Sequence, residues 1–490
     1  MAGETKKMTR NALILMPAKA LEGVLLLVMS ALYTRMFPPV VNGQYQITNT
    51  TVLALFLVSA AWLYNASARF VSEYRSPEGE KKFYSTFMLA FGVITCVVLA
   101  LGALIWRLTG NLLFFAGSMM LTTYSLFTIM NGLLIQTDHI LVSIGVSLLD
   151  VAGKILCAAL LVGLRGGDTP YPAVFAAVIS DLVASSVAMA VLHVVRNTRR
   201  RHFDRQLLSS LLAFGVPLIG MSIGTGLLSM VDRYIVTFMK GDAQAAVYMT
   251  NFTVSSGIFG MIAAAVVRAT YPSLIASYAA DGKAAAEKLL AQGTRLYFLI
   301  AMPAALGLFA VCQPLAHFMF EETYWPGASI IGIAAIAYFF MDLTEYAIKG
   351  FELTKNTRPV LGFSLTAAAI KIAATFALTY LMGIQGAAWG TLIAFLAYFL
   401  IVVVGMRGTF RFRPDGKSTA RIFCSAAACA VCAYLVCTYL PLEGGGASVI
   451  KTVAGVCTGG LVYVACLLLS GEMKPEIEML RQARRNRQGN

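Results

Sequence analysis

Charge is scarce in this sequence. Only 13% of its 490 residues are Asp, Glu, Lys or Arg, about half the share of an ordinary soluble domain. A water-soluble body of this length is therefore excluded. Histidine is scarcer still: His139, His193, His202 and His317 are scattered, and none stands beside a nucleophile motif. There is no GxxxxGK[ST] run to cradle a nucleotide phosphate. Polar loops large enough to hold an active site are also lacking. The nine cysteines lie mostly within apolar runs, and Cys429-x-x-Cys432 has no second pair of ligands near it. A zinc site needs four converging ligands, so no metal or other cofactor is expected, and the protein is read as a non-enzyme. Alternating ten-residue segments, the mark of a membrane β-barrel, are missing too.

What the sequence has in abundance is apolar length. Runs long enough to cross a hydrocarbon core of about 30 Å as helices recur along nearly the whole chain, and hydrophobic residues make up 58% of it. In lipid every backbone N–H and C=O must find a partner within the chain, which a helix provides. The expected fold is an all-α polytopic membrane protein. About fourteen transmembrane helices fall between residues 11 and 470, followed by a polar, basic tail over 471–490.

The net charge of +14 would suggest nucleic-acid binding in a soluble protein. Here the basic residues gather in short loops on alternate sides, so no nucleic-acid partner is expected. One side carries Lys6, Lys7 and Arg10, then Arg75, Lys81 and Lys82, then Arg196, Arg199, Arg200, Arg201 and Arg205. The same side continues through Arg407, Arg411, Arg413 and Lys417 to the tail. The other side has little beyond Arg35, Arg107, Arg165 and Lys240. An excess of Lys and Arg marks the cytoplasmic side. A multi-pass protein of the cytoplasmic membrane, with both termini in the cytoplasm, is the expectation.

One stretch organises the rest. From Leu211 an apolar helix carries Pro217, Gly220, Gly224 and Gly226 to Asp232-Arg233. The chain turns through Lys240-Gly241-Asp242, restarts at Tyr248, and runs to Arg268, Pro272 and Tyr278. The opening of the chain repeats this plan faintly, with Pro17, a turn at Pro38-Pro39, a restart at Gly43 and Tyr45, and a second helix reaching Arg69 and Tyr74. Internal repeats around a midplane site are a common plan of secondary transporters. We read residues 1–205 as an N-terminal six-helix lobe and 206–406 as a C-terminal one. Residues 407–490 supply two extra helices and the basic tail.

The informative residues are charges inside apolar runs, because a lone charge at the bilayer centre is costly and commonly marks a substrate or ion path. The candidate substrate-binding cations are Lys19, Arg69, Arg233, Arg268 and Lys371. The candidate ion-coupling or gating groups are Glu22, Asp150, Lys154, Asp181, Asp232 and Glu345. Each has a blander alternative. Asp150 and Lys154, at i and i+4, can neutralise each other, and so can Lys19 and Glu22 at i and i+3. Arg69 and Arg268 sit near helix ends and can snorkel to the surface. Asp232 and Arg233 are adjacent, point in different directions, and lie toward the outer end. Lys371 is mid-helix with no acid on its own helix. Cations from both halves would suit an anionic head group such as a diphosphate, and lobe could rock against lobe in alternating access.

Several short motifs then carry a resemblance. Arg35-x-x-Pro38 with Gly43-Gln44-Tyr45 follows the first helix, and Asn65-Ala-Ser-Ala-Arg69 ends the second. Val231-Asp232-Arg233-Tyr234 precedes Gly241 and Tyr248 in the second half. With fourteen helices in two lobes plus two, over most of 10–410, the sequence resembles the polysaccharide-transporter branch, with its Wzx-type oligosaccharide flippases, of the multidrug/oligosaccharidyl-lipid/polysaccharide exporter superfamily. The resemblance implies a flippase that moves an undecaprenyl-diphosphate-linked oligosaccharide from the inner to the outer leaflet around a cationic cavity. It implies a polyprenyl-diphosphate-linked sugar as substrate, the bilayer as setting, glycosyltransferases or a polymerase as partners, and H⁺ or Na⁺ as a coupling ion. Two other readings stand beside it: an ion-coupled multidrug antiporter of the same superfamily, and a non-transporting scaffold for envelope or spore assembly. An antiporter predicts a cavity of acids and aromatics, which the buried Lys and Arg oppose.

Overall fold

Proline and glycine set the ends of the helices. In the computed structural model, which describes residues 2–473 apart from 355, 357, 408–409, 411, 413 and 442–445 and leaves out the side chains of 2–16, 18, 19, 221, 268 and 269, no strand occurs among the described residues. The protein is an all-α membrane protein. Helix α1 (Ala2–Met36) ends before Pro38, and Pro39 opens α2 (Pro39–Ser59), where its fixed φ and missing N–H cost least. A 53° bend separates α2 from α3 (Ala61–Phe70) and the turn that follows it. Ser76 caps α4 (Pro77–Thr109) by accepting a hydrogen bond from Gly79 N, and Gly110, at φ 71°, closes it. Helices α5 (Leu113–Gln136), α6 (Ile140–Arg165), α7 (Tyr171–Val191) and the single turn α8 (Val194–Asn197) follow.

Two continuous helices are far longer than a bilayer needs: α9 (Arg205–Ile262) and α10 (Arg268–Met319). Each breaks at a glycine, Gly241 with φ 79° and Gly282 with φ 78°, a backbone state that side chains with a Cβ rarely adopt. A turn of π-helix over Ala263–Val267 lies between them. Then come α11 (Ala328–Leu353), α12 (Arg358–Met382), α13 (Ile384–Met406), α14 (Gly416–Tyr439) and α15 (Ala447–Leu469). Ten helical stretches among the described residues are long and apolar enough to cross a membrane, and eleven with the bent α2–α3 pair taken as one. One of them, Ser222–Met319, divides at Gly241 and Gly282 into three legs. With those legs counted separately and α1 added by its length of 35 residues, the long helical segments number fourteen, the count expected.

The chain packs as two compact units, Met1–Met249 and Thr250–Asn490. They part within α9, just beyond its break at Gly241. In the first unit, Phe83, Phe87 and Phe91 stack along one face of α4 at i, i+4 spacing, and Leu63, Ile129 and Leu211 pack into the same cluster. The rest of α4 is apolar and open: only 11% of its span is buried, with Leu101, Leu104 and Leu108 outward. That exposure is costly in water and costless in lipid.

In the second unit α11 is the central helix, with 72% of its span buried. Its backbone carbonyls accept side-chain hydrogen bonds: Ser255 Oγ to Ile331 O at 2.6 Å and Tyr297 OH to Phe339 O at 2.9 Å. Gly386 and Gly390 let α13 lie directly on the backbone of α12 at Leu378 and Thr375. Helices α14 and α15 pack on the second leg of α10. Tyr463 OH donates to Leu299 O at 2.8 Å, and Val311 packs with Ala433 and Cys437.

Candidate functional site

The densest buried charge lies in the first unit. On α6, Asp150 and Lys154 are one turn apart, and Lys154 Nζ sits 2.7 Å from Asp150 Oδ2. Across from them α7 presents Asp181, whose Oδ1 is 3.0 Å from the same ammonium. The two carboxylates are essentially inaccessible, and Lys154 is 15% exposed. The close approach of α6 to α7 depends on Gly153, where a Cβ would stand 2.8 Å from Ser180 Oγ. From α5, Thr123 Oγ1 donates to Asp181 Oδ2 at 3.4 Å. Phe127 underlies the ammonium at 5.7 Å, and Tyr33 of α1 donates to Lys154 O at 3.4 Å. The cluster thus sets two carboxylates against one ammonium. When all three are ionised, one negative charge is in surplus within apolar helices, a charge that one proton or one small cation would offset.

A second constellation joins α9 to α2. Asp232, Arg233 and Tyr234 are consecutive and diverge, as adjacent helical residues must. Asp232 is fully buried and accepts a 2.5 Å hydrogen bond from Tyr248 OH. Arg233 Nη1 donates to Thr50 Oγ1 at 3.3 Å, and Tyr234 OH donates to Thr51 Oγ1 at 3.1 Å. Ten residues beyond Asp232, the carbonyl of Asp242 lies directly over Gly43. The turns at Pro38–Tyr45 and Lys240–Tyr248, read from sequence as copies of one plan, are therefore in contact.

In the second unit Lys371 of α12 is completely buried, with Nζ 5.1 Å from the ring centroid of Phe395 on α13. Thr375, Thr379 and Thr391 are fully buried on the same two helices. Asp342 of α11 is buried, whereas Glu345, one turn on, is exposed. Lys349 binds Glu352 at 3.0 Å and lies over the ring of Tyr271 at 4.4 Å.

Of the remaining sequence candidates, Arg69 is exposed and pairs with Glu73 at 2.8 Å, and Glu22 is half-buried on α1. Lys19 and Arg268 lie on α1 and α10, but their side chains fall outside the described residues.

A model of the family described as "Polysaccharide biosynthesis protein" matches residues 8–277. The chain belongs to that polysaccharide biosynthesis family. Among its relatives is the probable flippase AglR of Haloferax volcanii, 21% identical over 262 residues, which are 51% of this chain and 52% of that protein. Another is the probable lipid II flippase MurJ of Thermotoga maritima, 22% identical over 244 residues, 48% of each chain. The chain spans about half the length of the curated relatives it matches. The fold is similar to a solved structure of lipid II flippase MurJ in an inward closed conformation, with TM-score 0.76 and 14% identity over 95% of this chain and 100% of that one. The matched stretch of this polysaccharide biosynthesis family member holds the triad and both repeated turns; Lys371 and Glu345 lie beyond it.

Sequence reasoning missed one buried acid in this family member. Glu472, just past α15, is 5% exposed and is held by Arg295 at 2.8 Å, by Arg421 at 3.6 Å and by the hydroxyl of Ser418. It fastens the end of α15 to the start of α14 and to α10. Its only sequence signal is that it is the first acid where the last apolar run gives way to the polar tail. Thr123 and Thr50, which hold two of the candidate charges, carry no sequence signal at all, and Tyr248 was marked in the sequence only as the restart after the turn, not as the partner of Asp232.

Proposed function

We propose that this protein is a flippase that carries a polyprenyl-diphosphate-linked oligosaccharide across the cytoplasmic membrane, for assembly of surface polysaccharide or cell wall. The observation that carries the reading is Lys371: a cation completely buried in an apolar span, in a chain of the polysaccharide biosynthesis family whose relatives are named as flippases. A cation buried in an apolar span commonly marks a substrate path, and a diphosphate is the kind of passenger whose charge suits it. No bond is made or broken in this task, so no catalytic group is required. Lobes 1–205 and 206–406 alternate access, with 407–490 appended, and both termini lie in the cytoplasm. Arg233 and, through their positions, Lys19, Arg69 and Arg268 assist the grip on the passenger. The surplus negative charge of the Asp150–Lys154–Asp181 cluster takes up H⁺ or Na⁺ and couples the cycle to an ion gradient. Glycosyltransferases that build the sugar, or a polymerase that consumes it, are the expected partners.

The test is export in a strain lacking the chromosomal copy. Lys371→Ala that reaches the membrane at normal level is expected to lose export at least tenfold, with lipid-linked sugar accumulating inside. Normal export by that variant overturns the reading. In vesicles, export that persists after both ion gradients are collapsed removes the coupling.

A further inference from the structure

A cleft of about 480 Å³ opens at the basic end of the first unit, remote from the buried triad in function and in kind. Its walls carry Lys81 from α4, Arg196 from α8, and Arg199 and Arg201 from the segment that follows, with Glu80 as the one carboxylate and His202 beside them. Four cations around one cavity repel each other, so the loop needs fastening. Two buried hydroxyls of α4 supply it. Ser85 Oγ donates to Asn197 O at 3.3 Å and accepts from Arg199 N at 3.0 Å, while Thr86 Oγ1 accepts from Asp204 N at 2.9 Å. Asn197 Nδ2 also reaches Glu80 Oε2 at 3.4 Å. The cations are thus presented on a backbone pinned at three points.

We propose that this cleft binds the phosphate head group of an anionic phospholipid. The excess of guanidinium groups suits a phosphate, which arginine engages with paired N–H donors. The location favours a lipid over a soluble ion. Val195 is 75% exposed and Phe203 38% exposed on the same short segment, giving the cationic cleft an apolar flank where the spans α7 and α9 end. Juxtamembrane basic clusters draw anionic head groups with about fivefold in affinity for each cation. The site is independent of the passenger: it would hold a resident lipid at the basic boundary of the protein.

The full-length protein, purified in detergent, is titrated with phosphatidylglycerol, with phosphatidylcholine and with inorganic phosphate, and bound lipid is read by native mass spectrometry. Saturable phosphatidylglycerol binding, not matched by phosphatidylcholine, is expected. Arg199→Gln with Arg201→Gln should weaken it about twentyfold, and Arg199→Lys with Arg201→Lys should keep most of it. If the double glutamine variant fails to fold, Lys81→Gln alone should still cost about fivefold. Equal binding of phosphatidylcholine, or undiminished binding by the glutamine variants, overturns the proposal. Competition by inorganic phosphate as strong as that by phosphatidylglycerol also overturns it, because the site would then take a soluble anion.

Discussion

Gly43 on α2 lies against the backbone of Asp242 on α9: a Cβ at Gly43 would stand 2.0 Å from the Asp242 carbonyl oxygen. Backbone cannot retreat from that overlap as a flexible side chain can. Gly43→Ala is therefore expected to push the two turns apart and to cost about 1–3 kcal/mol. A fall in thermal midpoint of the purified protein measures it. Gly241→Ala, at φ 79° but with no atom within 4 Å of the added Cβ, strains the backbone without a clash and should cost less, about 1 kcal/mol. A larger loss at Gly241 than at Gly43 would show that the break in α9, not the contact, holds these turns.

The turns themselves were legible because proline and glycine mark them. Pro39 and Gly241 act through their own backbone restrictions, which no tertiary context is needed to read. The pairing of Asp150 with Lys154 was legible for a similar reason, since one helical turn brings them together. Asp181 as their common partner was not legible, because it sits on the next helix and nothing local fixes how α6 and α7 rotate about their axes. Lys371 was recognisable as a charge in an apolar run, but the ring of Phe395 beneath it belongs to the following helix. The burial of Asp232 runs against its adjacency to Arg233 near a turn. It follows from Tyr248, which reaches back across the break at Gly241.

Removing Lys154 should be far worse than removing the whole cluster. Lys154→Met leaves Asp150 and Asp181 buried and facing each other without their shared cation. A loss of about 3–5 kcal/mol is expected. Combining it with Asp150→Asn and Asp181→Asn removes the charges together and should recover most of that stability, with folded yield and thermal midpoint as readouts. A triple variant no better than Lys154→Met alone would mean the residues act by packing and not by charge.

Tyr248→Phe takes the phenolic donor from the fully buried Asp232 while keeping the ring. The expected cost is about 1–3 kcal/mol. Tyr234→Phe removes a hydrogen bond at an exposed position and should cost no more than about 1 kcal/mol. Thermal melts of the two variants side by side separate the buried bond from the exposed one.

Glu472 is the fastening of the last two helices to α10. Glu472→Gln keeps the shape but withdraws the charge that faces Arg295 and Arg421. A loss of about 2–4 kcal/mol is expected, below the roughly 3–5 kcal/mol for breaking a fully buried pair from one side, because Arg295 and Arg421 are partly exposed. Limited proteolysis should then cut within α14 and α15 faster than in the parent. Unchanged cleavage would assign the docking of α14 and α15 to apolar contacts such as Val311 with Cys437.

His202 gives the basic cleft a pH response with a definite sign. Its partial burial, and then Arg201, Lys81 and Arg199 around it, push its pKa below the usual 6.5, against a smaller opposing pull from Glu78. As pH falls through 6.5 the unfolded chain takes up a proton before the folded one does, so the local structure loses stability there. An anion in the cleft reverses the balance by favouring the imidazolium. Titration of the His202 ring signal by NMR should thus give a midpoint below 6.5 in neutral detergent, and a higher one once phosphatidylglycerol is added. Because binding and protonation are linked, the lipid should also bind more tightly at pH 5.5 than at pH 7.5, and His202→Gln should flatten that difference. A midpoint that does not move on adding the lipid would place the bound phosphate away from His202.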